Sequence, residues 1–104
     1  MPLSETSPKV ALGPYLFSNI LANGTFVLRS GGFALLHSIV INKLGSADWV
    51  ITVYNNGAGS GAKVATITVG TIFVGQLEYN ADCDGGLTIV TAGTTPGDIT
   101  VMYR

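Results

Sequence analysis

From Pro14 onward, apolar and polar residues alternate in short runs broken by glycine, asparagine and proline. No window repeats with the 3.6-residue period of a helix. The pattern predicts eight strands, at 14–21, 25–29, 33–43, 48–55, 62–69, 71–79, 86–91 and 98–104, about ten residues apart. Val, Ile and Thr dominate them, as a pleated, half-buried surface prefers. Asn23-Gly24 predicts a hairpin between the first two strands, and the Gly-rich NGAGSG at 56–61 predicts a flexible loop or wide hairpin. Ser30-Gly31-Gly32, Leu44-Gly45-Ser46, NADCDG at 80–85 and AGTTPG at 92–97 supply the remaining turn chemistry.

Eight short antiparallel strands close most naturally into two packed sheets. The expected fold is therefore an all-β antiparallel sandwich of jelly-roll type over residues 14–104, with an eight-stranded barrel as the competing closure. Residues 1–13 (MPLSETSPKVALG) show no periodicity and carry Pro2 and Pro8, which predicts an extended N-terminal arm ending in the apolar Val10, Ala11 and Leu12.

Several strands are apolar on both faces. Strict alternation puts Leu35, Ile39 and Ile41 on one side of 33–43, and Leu36 and Val40 on the other. In 48–55, Trp49, Ile51 and Val53 oppose Val50, Thr52 and Tyr54; in 98–104, Met102 opposes Ile99, Val101 and Tyr103. A sandwich standing alone hides one face of each sheet and wets the other. The second apolar face therefore calls for cover from outside, and the candidate contact positions are Leu3, Val10 and Leu12 in the arm with Leu36, Val40 and Met102 in the strands.

Composition sharpens this picture. Only 11% of the 104 residues are Asp, Glu, Lys or Arg, against about 25% in an ordinary soluble domain, and mean hydropathy is positive. Such a surface favours association through apolar patches. The five basic residues, Lys9, Arg29, Lys43, Lys63 and Arg104, are scattered, so no stripe exists to neutralise phosphates and neither nucleic acid nor an anionic membrane is an expected partner. Apolar runs are far shorter than a membrane-spanning helix needs. No basic segment followed by an apolar core marks a secretory signal. With Cys83 as the only cysteine, no internal disulfide forms, which fits synthesis in a cytoplasm.

Candidate chemistry is sparse. His37 is the single histidine, set among aliphatics, and no pattern gives it a positioned partner. Cys83 would need His37 nearby to act as a nucleophile. Asp82-Cys83-Asp84-Gly85 lacks the further oxygen ligands of a calcium loop, and the glycines at 57, 59 and 61 precede no Lys-Ser or Lys-Thr. Trp49 beside Asp48 is the one pairing that resembles a sugar platform. The residues thus point to no catalytic group, no metal and no cofactor.

The run LLHSIVINK (35–43), VITVYNN (50–56), a Gly-rich hairpin, KVATI (63–67), GLTIVTAG (86–93) and DITVMYR (98–104) resembles small virion proteins of tailed bacteriophages. The resemblance covers about the last two thirds of the chain. It implies a capsid decoration, or cement, subunit: a non-enzymatic jelly-roll domain, often trimeric, seated on the major capsid protein lattice at the outside of the virion. It has no catalytic residues to carry over. The alternative is a trimeric receptor-binding or tail-fibre tip domain that recognises a host surface glycan.

Overall fold

The computed structural model describes residues 14–68 and 75–104, so the expected arm, with Leu3, Val10 and Leu12, lies outside the described residues. Eight strands form: β1 (Leu16–Ile20), β2 (Gly24–Arg29), β3 (Ala34–Lys43), β4 (Val50–Asn55), β5 (Ala62–Thr68), β6 (Gly75–Cys83), β7 (Leu87–Ala92) and β8 (Asp98–Tyr103). All pair antiparallel, in two four-stranded sheets of order β1-β8-β3-β6 and β2-β7-β4-β5. The sheets bury one face each in a shared core, so the closure is a sandwich rather than a barrel.

Residues paired across neighbouring antiparallel strands point to the same face, so the register gives the core row by row. In one sheet Ser18, Val101, Ile39 and Leu77 form a row, and Ile20, Ile99, Ile41 and Gly75 the next. In the other, Phe26, Ile89, Val53 and Ala65 lie opposite one another. The alternation read from 48–55 holds: Trp49, Ile51 and Val53 are fully buried, while Val50, Thr52 and Tyr54 are partly exposed. Burying an Ile or Val side chain stabilises by about 1.5–3 kcal/mol, and nine of the largest fully buried side chains are Ile, Leu or Trp.

Three expectations change. The Asn23-Gly24 hairpin does not form: β1 and β2 belong to different sheets, and the chain crosses the sandwich at Leu21–Asn23. Of consecutive strands, only β4 and β5 pair, around the NGAGSG loop. The expected strand 71–79 and turn 80–85 become a strand from Gly75 to Cys83, with 71–74 outside the described residues. Asn80 keeps a turn-like positive φ of 49° inside that strand, a conformation asparagine tolerates.

The third change concerns β3. Its register shifts between Leu36 and Ser38: His37 is an extra residue against β8, while Tyr79 and Asn80 together oppose it on β6. This bulge breaks the alternation. Leu36 therefore joins Ile39 and Ile41 in the core, fully buried, and Leu35 turns outward opposite Asp82. Leu36 is not a position seeking outside cover; the chain covers it itself.

Candidate functional site

The outer face of the β1-β8-β3-β6 sheet holds the other two strand positions expected to make contacts. Met102 pairs with Phe17 on β1 and Ser38 on β3; Val40 pairs with Thr100 and Gln76. Both are half-buried. Phe17 beside Met102 is 70% exposed, the most open large apolar side chain described.

Tyr15 stands next to this patch. Its ring meets the edge of His37, with centroids 4.8 Å apart, and the Arg104 guanidinium carbon lies over the Tyr15 ring, 4.3 Å from its centroid, as a cation–π partner. The Nδ1 atom of His37 is 2.9 Å from the Ser38 hydroxyl. The histidine is thus a packing and hydrogen-bonding residue of the bulge. Cys83 is buried in the core opposite Ala34, its sulfur 3.9 Å from the Ala81 carbonyl. Burial, reinforced by the charges of Asp82 and Asp84, pushes its thiol up, away from the thiolate a nucleophile requires. The structure does not join His37 and Cys83 in a dyad.

Most of the exposed large apolar side chains belong to one stretch of sequence, the segment through β1 and β2. Tyr15, Leu16, Phe17, Leu21 and Val27 make five of the seven, with Phe33 and Leu44 the others. The β1–β2 link is only three residues long and joins an edge strand of one sheet to an edge strand of the other; among the described residues each pairs on one side only, with β8 and β7 respectively. Alternation does not single out Leu21 or Val27. A different signal marks the segment: the nineteen residues from Val10 to Leu28 contain no Asp, Glu, Lys, Arg or His.

One end of the sandwich is fastened by polar groups that sequence reading placed elsewhere. Trp49 is fully buried and donates its Nε1–H to Asn23 Oδ1 at 2.9 Å, while Asn23 Nδ2 donates to the Gly93 carbonyl at 2.7 Å. Gly93 has a φ of 153°, and a Cβ there would lie 2.7 Å from the Trp49 Cα. Asp48 accepts hydrogen bonds from the Ser46 hydroxyl and from the backbone and side chain of Thr94. The Ser46 hydroxyl and Thr94 together lower its pKa from 3.8 to about 2. The candidate Trp49–Asp48 sugar platform does not form: the ring is in the core and the carboxylate ties the β3–β4 loop to the β7–β8 loop.

At the other end, Asp84 accepts from Asn55 Nδ2 at 3.1 Å, and Asn55 Oδ1 accepts from the Gly85 N–H at 2.8 Å. The Asp82–Gly85 segment is thus bound into the β4–β5 loop region. No helix among the described residues is long and apolar enough to cross a membrane. Compared with protein-family models and with curated proteins, the sequence matches none.

Proposed function

We propose that this chain is a non-enzymatic virion structural protein, a capsid decoration subunit of jelly-roll type that binds the major capsid protein lattice as a homo-oligomer. The observation that carries the proposal is the set of large apolar side chains left open at Tyr15, Leu16, Phe17, Leu21 and Val27 in a chain with only 11% charged residues, which a solitary domain would leave in water. The strand order supports the jelly-roll assignment. The β1-β8-β3-β6 sheet facing β2-β7-β4-β5, with every consecutive pair except β4–β5 divided between the sheets, is compatible with two interleaved Greek keys. The loops at both ends are fixed by side-chain to backbone hydrogen bonds, which supports a rigid body suited to lattice binding.

A lattice multiplies weak contacts, because a subunit already held at one site meets the next at high effective concentration. The test is pelleting with shells assembled from the cognate phage's major capsid protein. The expected result is saturable binding at a fixed ratio to capsid subunits. Labelling confined to the tail tip in immunogold micrographs, with no binding to shells, would overturn the proposal in favour of a receptor-binding domain.

A further inference from the structure

The chain holds two Asn-Gly pairs, Asn23-Gly24 and Asn56-Gly57. In an open chain this dipeptide converts spontaneously, because glycine has no Cβ to keep its backbone nitrogen away from the asparagine side chain. The glycine nitrogen gives up its proton and bonds to the asparagine Cγ; the bond from Cγ to Nδ2 breaks, and ammonia leaves with that proton. One water then opens the cyclic imide to aspartate or isoaspartate. At Asn23 the fold engages every group this reaction needs. Oδ1 accepts the Trp49 indole N–H at 2.9 Å, and Nδ2 donates to the Gly93 carbonyl at 2.7 Å. The attacking nitrogen, that of Gly24, donates its N–H to the Thr91 hydroxyl at 3.1 Å, and the same hydroxyl donates to the Ala22 carbonyl at 2.7 Å. Thr91 is 2% exposed, so a buried side chain pins the backbone on both sides of Asn23. Asn23 itself is open to water, so its restraint is one of geometry rather than of access.

We infer that Asn23-Gly24 is a deamidation site that the closed sandwich holds unreactive and that opening releases, so that the modification records opening. The bonds at this pair reach β7, the β7–β8 loop and the entry to β4, and freeing it means parting β2 from β7. Those at Asn56 are local by contrast. The Gly57 N–H donates to Oδ1 of Asn56 at 2.9 Å, and Asn56 Nδ2 donates to the Ser60 carbonyl at 2.7 Å, both within one loop. The product of the reaction at Asn23 does not fit the place it came from. A carboxylate has no N–H for the Gly93 carbonyl and sets a negative charge against that oxygen. Isoaspartate adds a carbon to the backbone between Ala22 and Gly24, the stretch that the Thr91 hydroxyl spans. Modification therefore opposes reclosure. The inference goes beyond capsid binding and does not rest on it.

The experiment ages the full chain at neutral pH, in buffer and in denaturing urea, and follows each Asn-Gly peptide by mass. In urea the Asn23 and Asn56 peptides should gain the mass of an amide-to-acid change at similar rates, since both pairs are then open. In buffer the Asn23 peptide should convert at least a hundredfold more slowly than in urea, because the reaction passes through a small opened population. Leu36→Ala, a core truncation in the other sheet, should raise the Asn23 rate in buffer at least tenfold, as it raises the opened fraction. If that variant does not fold, intermediate urea concentrations on the wild type take its place, and the Asn23 rate should climb in step with the unfolded fraction. Asn23→Asp, which mimics the product, should unfold with an equilibrium constant at least tenfold larger than that of the wild type, or fail to fold. Conversion of Asn23 in buffer within threefold of its rate in urea would overturn the inference, and so would a rate that neither Leu36→Ala nor the urea series moves. An Asn23→Asp chain as stable as the wild type would overturn the opposition to reclosure.

Discussion

Asn23 shows how much a single side chain contributes in a sandwich whose consecutive strands mostly do not pair. Its oxygen receives the buried Trp49 indole N–H and its nitrogen reaches the Gly93 carbonyl, so one amide joins the β1–β2 link, the entry to β4 and the β7–β8 loop. Asn23→Ala leaves the indole N–H without its partner and should lower unfolding free energy by about 1–3 kcal/mol, measured by urea denaturation. Asp48 sets an acid limit. Its folded pKa, about 2, lies below the ordinary 3.8, so folding favours the ionised form. Its contribution is therefore complete above about pH 4 and is lost as pH falls toward 2. Denaturation midpoints of the wild type and Asp48→Asn should differ at pH 6 and converge near pH 2.

The strands show what local pattern reveals and what it hides. Period-two alternation identifies the buried face of β4, because nothing interrupts its register and Trp49, Ile51 and Val53 fall in line. In β3 the same rule fails at Leu36, since the bulge at His37 depends on how β6 and β8 pair with it, and those partners are forty or more residues away. Asn23-Gly24 is a true turn signal, yet a turn that ends a hairpin and one that crosses a sandwich use similar residues; only the distant partners β8 and β7 decide between them. The eight strands were thus legible from residues alone, whereas the sheet order depended on long-range pairing. The buried place of Leu36 is open to test: Leu36→Ala should cost about 2–5 kcal/mol, as for a core truncation. Val40→Ala, on the half-exposed outer face, should cost well under half as much in the same denaturation assay.

For the whole molecule, the scarcity of charge predicts how association responds to the solvent. A contact dominated by apolar groups with no ion pairs is barely screened by salt. The mass of the assembly should hold between about 0.05 and 0.5 M sodium chloride, where the Debye length shrinks severalfold. Dissociation on adding salt would instead show that ion pairs hold the contact.

The nesting of strands also bears on the order in which the molecule is completed. Within the described strands, β1 finds its sheet neighbour only in β8, and β2 only in β7, so the earliest two are bracketed by the latest two. During synthesis on a ribosome, Phe17 and its neighbours emerge long before Ile99 and Val101 exist to receive β1. The opening segment must wait, greasy and single-stranded, until nearly the whole domain has been made. Closure then comes late and all at once, as expected where contacts span long separations in sequence.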